Sequence, residues 1–168
     1  GWIRFSPFIP PCRKPFGMWV DRAFSVKGVP MPDLRLVIAS DPLAVRQALT
    51  RILADPALCN RTADLRSRAE IVLAEVLNNI VEHAYAEAPG QITLEMSLRP
   101  DKVECSICDT GAQMPGLALP EGKLASRDPD NLPEGGFGWF LIRSLTEDLR
   151  YARQNDANHL YFCLPETT

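Results

Sequence analysis

The chain has 168 residues, of which 46% are hydrophobic and 23% charged, with a formal net charge of -3. This length and composition predict one globular domain with a real hydrophobic core, plus an extension. The slight acidity gives no support for binding nucleic acid or an anionic membrane, and no apolar run in the sequence is long enough to cross a bilayer.

The cysteines are five in number, odd and irregularly spaced, which argues against a disulfide framework. Cys105 and Cys108 spell C-x-x-C, but their segment alternates like a strand, so the two side chains should point to opposite faces. With only two histidines and no second cysteine pair, we expect no zinc site. We interpret the cysteines as reduced, mostly structural thiols of a cytoplasmic protein.

The first segment of the chain, residues 1–32, is rich in proline and has scattered aromatic residues without periodicity. We therefore expect a proline-rich N-terminal extension outside the core, followed by one domain over residues 33–168. Within that domain, residues 34–40 predict a strand, and Asp41-Pro42 supplies the N-cap and first residue of a helix that runs to about residue 53.

A long core helix is predicted over residues 65–85, where either Asn60 or Thr62 can provide the N-cap. At about 100° per residue, its apolar residues share one broad arc. Glu75 and Asn79 lie one turn apart at the edge of this arc. A carboxylate and a carboxamide in that position can face a binding site, although an isolated E-x-x-x-N pair is more often a solvated flank. The arc comprises Leu65, Ala69, Val72, Leu73, Val76, Leu77, Ile80 and Ala84.

A strand pair follows the long helix. Gln91–Leu98 alternates between apolar and polar residues, and a return strand places Val103, Cys105 and Ile107 inward. The same alternation places Asp109 inward, where a carboxylate is costly unless it has a partner. Two readings remain open for Asp109: an Asx-turn at the strand end, or a hydrogen-bond acceptor for a ligand amine.

An irregular stretch over residues 112–134 is typical of a lid, a binding loop or disorder. It ends in Gly135-Gly136-Phe137-Gly138, directly before a helical pattern that includes Leu141, Ile142, Leu145 and Leu149. Small residues before a helix leave backbone N–H groups free to bind phosphate, although such glycines more often only make turns. Residues 151–154 and 159–164 predict a closing hairpin around residues 155–158.

The order of these segments resembles the histidine-kinase-like (GHKL) ATPase superfamily, and within it the small anti-sigma-factor serine/threonine kinases. The resemblance covers roughly residues 33–165 and is carried by AEVLNNIVEHAY as the N box, DTGAQMPG as the first glycine box and EGGFGWFLIRSL as the second. It implies an α+β fold: a two-layer sandwich of a mixed, mostly antiparallel sheet with helices on one face.

The same resemblance implies roles for individual residues. Glu75 would be the general base that takes a proton from the attacking hydroxyl, and Asn79 would hold the Mg²⁺ that bridges the phosphates of ATP. Asp109 would receive the adenine amino group. Phosphoryl transfer asks a protein mainly for positioning and charge neutralisation, which these residue types can provide.

Three glycines complete the implied site. Gly111 would let the backbone and the base approach closely, and Gly136 and Gly138 would close the lid over the phosphates. Two departures from the family pattern bear on lid dynamics and turnover: Gln113 stands where many members have a second glycine, and Ala84 replaces the glycine that commonly follows the histidine.

For several neighbouring polar residues, an interpretation without a functional role is favoured. Lys123 and Arg127 could contact phosphate, but solvated loop charges are the favoured interpretation. We expect His83 to pack or hydrogen-bond beside the helix, and Asn78 and Glu82 to face solvent.

The resemblance implies an ATP-dependent protein kinase that binds a sigma factor and phosphorylates an anti-sigma-factor antagonist, with a homodimer expected by analogy. The alternative is a nucleotide-binding regulatory module with little or no kinase turnover. The catalytic half of a two-component histidine kinase is disfavoured, because residues 1–32 are interrupted by proline and carry no histidine.

Overall fold

The structure is a computed structural model that describes residues 31–122 and 137–166. Its described strands are β1 (Leu34–Ala39), β2 (Gln91–Leu98), β3 (Lys102–Asp109), β4 (Glu147–Gln154) and β5 (Ala157–Pro165). Its described α-helices are α1 (Pro42–Leu53), α2 (Pro56–Cys59), α3 (Ala63–Asn79) and α4 (Phe137–Leu145). The strands form one sheet in the order β1-β2-β3-β5-β4.

The hydrophobic core lies between the helices and one face of this sheet. Leu94, Ile107 and Phe162 point from the sheet into the same buried cluster as Ile52 and Leu73 of the helices. The expected two-layer α+β fold is therefore confirmed. Every pairing between the described strands is antiparallel.

Side-chain caps fix where the first helices begin. The Asp41 carboxylate accepts a hydrogen bond from the Ala44 N–H at 2.9 Å, with proline in the first turn, as the sequence predicts. Of the two candidate caps of α3, the structure uses Thr62, whose hydroxyl accepts from the Leu65 N–H at 3.2 Å. Each such cap contributes about 1 kcal/mol. The Thr62 cap thus fixes where α3 begins, and burial of its apolar arc sets the direction of Glu75 and Asn79.

The long helix changes its winding immediately after Asn79. Residues Ile80–Ala84 form a π-helical turn, in which the Tyr85 N–H donates to the Ile80 carbonyl at 3.1 Å. The prediction of one regular helix to residue 85 is therefore wrong over its last turn. A π-turn has more residues per turn than an α-helix, so the α-helical angle does not apply to side chains beyond Asn79.

The C-terminal part differs from the sequence prediction in two places. Helix α4 ends at Leu145, and Leu149 lies in β4 instead of continuing the helix. The hairpin turn consists only of Asn155 and Asp156, both with positive φ (50° and 60°), which is the signature of a type I′ turn. Asn158, predicted to be a turn residue, is instead a residue of β5 and lies directly opposite Asp109 in β3.

Cys105 and Cys108 lie on opposite faces of β3, as the strand alternation predicts, and only Cys105 belongs to the hydrophobic core. Cys59, Cys105 and Cys163 are free thiols. Cys108 is disulfide-bonded, so the expectation of reduced thiols is wrong for this residue. Among the described residues, no helix combines the length and the apolar character needed to span a membrane. Residues 1–30, Lys123, Arg127 and Gly136 lie outside the described residues.

Candidate functional site

A cavity of about 570 Å³ opens where the end of α3 and its π-turn face the loop after β3 and the β4–β5 hairpin. This volume is in the range of small-molecule and cofactor sites. Two of the predicted site residues, Asn79 and Asp109, line it. The remaining wall is largely apolar and includes Val76, Ile80, Met114, Trp139 and Leu160.

Asp109 ends β3 at the base of this cavity, with 5% of its surface exposed. Its Oδ1 atom accepts hydrogen bonds from the Gly111 N–H at 2.9 Å and from Asn158 Nδ2 at 2.7 Å. The first bond forms an Asx-turn, which is the structural one of the two readings of Asp109 given by the sequence. The other oxygen, Oδ2, has no hydrogen-bond partner among the described residues. The structural role is thus present and leaves one carboxylate oxygen for a ligand.

Burial sets the charge behaviour of this carboxyl. Desolvation raises the pKa of Asp109, and the raise prevails over the hydrogen bonds from Asn158 and Gly111 and the positive charge of Arg153, which all lower it. The ionised form is therefore costly in the protein alone. A ligand that donates a hydrogen bond to the carboxylate would favour the ionised form.

Asn158 is a site residue that the sequence analysis missed. Its side chain bonds to Asp109, to the Ala112 carbonyl at 2.9 Å, to the Tyr151 hydroxyl at 2.8 Å and to the Arg153 guanidinium at 2.8 Å. The amide therefore connects the end of β3, the following loop and β4. The alternation of Leu160, Phe162 and Leu164, extended two residues back, would have predicted that Asn158 faces inward.

Glu75, Asn79 and Gly138 come together at the other end of the cavity. A Cβ atom placed on Gly138 would lie 2.6 Å from Glu75 Oε2 and 3.6 Å from Asn79 Nδ2. Gly138 of the second glycine box therefore lies beside Glu75 and Asn79 of the N box. Of these three residues, only Asn79 lines the cavity itself.

The Asn79 side chain has an unmet hydrogen-bonding requirement. Its Nδ2 atom is buried and has no hydrogen-bond partner in the part of the chain that the structure describes. A buried donor without a partner is costly, so this position fits a ligand that brings acceptor atoms. The carboxamide also carries an oxygen, the ligand type that Mg²⁺ prefers, and Mg²⁺ commonly takes one or two protein ligands together with substrate phosphates.

Gly111 lies against the π-turn. A Cβ atom at this position would lie 2.5 Å from the Ala84 carbonyl oxygen, and the Ala112 N–H donates to that same oxygen at 2.8 Å. The close approach that Gly111 permits is therefore between the loop and the π-turn. Ala84, which departs from the family pattern, is the residue that the loop contacts.

Two residues of the π-turn, Glu82 and His83, are exposed and line the cavity. The expectation that Glu82 faces solvent agrees with this exposure, whereas the expectation that His83 packs beside the helix is wrong. His83 follows the change in winding after Asn79. Nothing in the local sequence signals a π-turn.

Comparison with known families agrees with this arrangement. The family profile of the histidine kinase-like ATPase domain matches residues 38–164. The chain belongs to this family. The match spans the N-box pair, Asp109 and both glycine boxes, so the elements that build the cavity lie within the histidine kinase-like ATPase domain.

Curated relatives of this ATPase domain include proteins named "Serine-protein kinase RsbW". The one from Bacillus mycoides (strain KBAB4) is 34% identical over 85 residues, covering 48% of this chain and 52% of the relative. The one from Bacillus cereus (strain ATCC 10987 / NRS 248) is 34% identical over 84 residues, with the same coverage. The chain spans about half the length of these curated relatives.

Solved structures with similar folds are more distant in sequence. The blue-light activated histidine kinase EL346 from Erythrobacter litoralis is 19% identical, with a TM-score of 0.48, covering 73% of this chain and 39% of that one. The histidine kinase AdeS from Acinetobacter baumannii is 14% identical, with a TM-score of 0.43, covering 83% and 70%.

Proposed function

We propose that this chain binds ATP in the cavity and transfers the γ-phosphoryl group to a serine or threonine of a protein substrate. The observation that carries the proposal is the arrangement of polar groups at the two ends of one cavity. Asp109 Oδ2, a carboxylate oxygen without a hydrogen-bond partner among the described residues, lies at one end, and Asn79, with Glu75 and Gly138 beside it, lies at the other.

The adenine base belongs at the Asp109 end. The Oδ2 atom of Asp109 is open to the cavity and can accept a hydrogen bond from the 6-amino group of adenine. The apolar wall around Ile80, Met114 and Leu160 suits a flat aromatic ring. The ribose and phosphates then extend towards Asn79 and α4.

The phosphates belong at the Asn79 end. The Asn79 carboxamide would hold Mg²⁺, which when bound neutralises charge on the phosphates. Glu75 lies one turn earlier on α3 and would accept the proton of the attacking hydroxyl group. Gly138, at the start of α4, leaves room beside Glu75 Oε2 that any side chain would fill. Gly136, outside the described residues, would act with it in closing over the phosphates.

The relatives named serine-protein kinases support phosphoryl transfer to protein as the reaction. Through the resemblance to anti-sigma-factor kinases, we propose a sigma factor as the binding partner and an anti-sigma-factor antagonist as the substrate, in the cytoplasm. A homodimer is part of the same proposal.

The decisive experiment is to incubate the protein with labelled ATP, Mg²⁺ and the cognate antagonist, and to compare it with Glu75→Ala. Transfer that is lost in Glu75→Ala while ATP binding is retained supports the kinase. ATP binding without transfer in the unaltered protein would instead support the alternative of a nucleotide-binding regulatory module.

A further inference from the structure

The buried amide of Asn158 has all of its hydrogen-bonding capacity in use. Its Nδ2 atom donates to Asp109 Oδ1 at 2.7 Å and to the Ala112 carbonyl at 2.9 Å, and its Oδ1 atom accepts from the Tyr151 hydroxyl and from Arg153 Nη1, both at 2.8 Å. A carboxamide offers two donor hydrogens and two acceptor lone pairs. Asn158 therefore has no group left for a ligand and can act on one only through its neighbours.

The neighbours also fix which way round the amide lies. Arg153 can only donate. The Tyr151 oxygen already accepts from the Met114 N–H at 3.0 Å, so its own hydrogen is free to be donated to Asn158. Two donors thus meet at one end of the amide, and that end must be the oxygen. The nitrogen end is consequently directed at Asp109 and the Ala112 carbonyl.

This orientation determines how Asp109 presents itself to the cavity. Oδ1 is held by Asn158 on the neighbouring strand and by the Gly111 N–H at 2.9 Å. Because two donors hold the same oxygen, the carboxylate cannot rotate about its terminal bond without breaking both bonds. Oδ2 is left as the acceptor available to a ligand.

We propose that Asn158 is a positioning residue for nucleotide selection, which holds Asp109 so that Oδ2 accepts the 6-amino group of adenine. This inference rests on the proposed ATP-binding function of the same cavity. It assigns a selective role to a residue that does not touch the ligand.

The charges around Asp109 are consistent with this role. Arg153 from β4 favours the ionised carboxylate, and so does the hydrogen bond from Asn158, against the burial that raises the pKa of Asp109. Glu82 and His83 of the π-turn line the same cavity, and Tyr151 lies on its β4 side. Without the Asn158 donor, the Asp109 carboxylate would be held less firmly in its orientation and would ionise less readily.

The test compares ATP with purine riboside 5′-triphosphate, which has the same ribose and phosphates but lacks the 6-amino group. The ratio of the two dissociation constants isolates the contribution of that amino group, because phosphate protonation and Mg²⁺ affect both nucleotides alike. A hydrogen bond to a charged acceptor predicts that the unaltered protein prefers ATP by about tenfold or more. Calorimetric titration with both triphosphates at pH 8 measures this ratio.

The informative variant is Asn158→Asp, which keeps the acceptors for Tyr151 and Arg153 and replaces the donor to Asp109 with a second carboxylate oxygen. We expect the preference for ATP to fall to about one at pH 8. It should recover as the pH is lowered, because protonation of the introduced carboxyl restores a donor to Asp109. Asn155→Asp adds the same charge to the exposed turn of the same hairpin and should leave the ratio unchanged.

Each outcome separates the inference from the proposed function. Failure of the unaltered protein to bind either triphosphate would overturn both. An Asn158→Asp protein that keeps the full preference for ATP at pH 8, or that loses affinity for both nucleotides equally, would overturn the positioning role. The proposal that the unaltered protein binds ATP would still stand. If Asn158→Asp does not fold, Asn158→Ala decides by the same ratio, since it removes the donor to Asp109 without adding a charge: a reduced preference supports the role, and an unchanged one overturns it.

Discussion

The two ends of the cavity are built differently. At the sheet end, the protein itself satisfies the amide of Asn158 and one oxygen of Asp109 through short hydrogen bonds that join β5 to β3, to the loop after β3 and to β4. At the helix end, Asn79 Nδ2 is buried without a partner among the described residues, and Glu75 lies against the backbone of Gly138. The protein's own hydrogen bonds organise the sheet end, whereas in the proposed function a ligand supplies the acceptors that the helix end lacks.

The difference follows from the backbone at each end. Strand register fixes Asp109 opposite Asn158, and a one-residue slip would turn both side chains to the other face. At the helix end, regular α3 stops at Asn79 and gives way to a π-turn. Such turns are frequent at functional sites. These two constructions suit the roles proposed for them, which are rigid recognition of the base at the sheet end and binding of the phosphates at the helix end.

The largest effect is expected from Asp109→Asn. The introduced amide can still accept from Gly111 and Asn158 through its oxygen, so the fold should be retained, but its NH₂ group would face the adenine amino group. Losing a charged acceptor and opposing two donors should weaken ATP binding about a hundredfold or more. Calorimetric titration measures the loss, and circular dichroism checks the fold. An unchanged affinity would remove Asp109 from the site.

A comparable effect, confined to transfer, is expected from Gly138→Ala. The added methyl group would lie 2.6 Å from Glu75 Oε2, which is the end of a flexible side chain and can move away. Stability should therefore change little, while displacement of the proposed base should slow phosphoryl transfer about a hundredfold. Single-turnover transfer from labelled ATP measures this rate. Normal transfer by Gly138→Ala would contradict the placement of Glu75 in the reaction.

Gly111→Ala is the matched control, because the same methyl group there meets backbone. Its Cβ would lie 2.5 Å from the Ala84 carbonyl oxygen, which cannot move without distorting the π-turn. We expect the free energy of unfolding to fall by about 1–3 kcal/mol. Denaturant titration of the two variants should thus separate a glycine needed for packing from one needed for the proposed chemistry.

A smaller and more specific effect is expected from Asn79→Ala. If Asn79 holds Mg²⁺, the variant should weaken ATP binding about tenfold in the presence of Mg²⁺ and much less in the presence of a chelator. Titrations of the variant and the unaltered protein under both conditions measure the difference. Equal losses with and without the metal would show that Asn79 contacts the nucleotide without holding the ion.

Most of the fold could be predicted from the sequence, and so could part of the difference between the two ends of the cavity. Alternation in β2 and β3 placed Asp109 inward, and the apolar arc of α3 placed Glu75 and Asn79 at the edge of the core. Both predictions hold because period-2 and period-3.6 patterns depend on burial, which composition reveals directly. The contact of Gly138 with the N-box pair agrees with the order of the motifs.

The remaining features depend on local geometry that these patterns do not encode. The loop after β3 contacts the π-turn at Ala84, whose carbonyl accepts from the Ala112 N–H, and Glu82 and His83 of this turn line the cavity. Asn158 was missed because four residues were assigned to a turn that needs only Asn155 and Asp156. A two-residue turn is a recognised hairpin signature, so this second error could have been avoided.

The smallest effect is the pH dependence of Asp109, which tests the sheet end of the cavity. Its pKa is raised by burial above the value of about 3.9 that an unfolded aspartate has. The folded protein therefore holds this proton more tightly, and the stabilisation is greatest below the unfolded pKa and is lost as pH rises through the raised pKa. ATP binding needs the ionised carboxylate, so it should change in the opposite direction and weaken as pH falls through the same window. Thermal unfolding and ATP titration across this range, each compared with Asp109→Asn, test the two signs; parallel trends in stability and affinity would contradict the assignment of Asp109 as the acceptor.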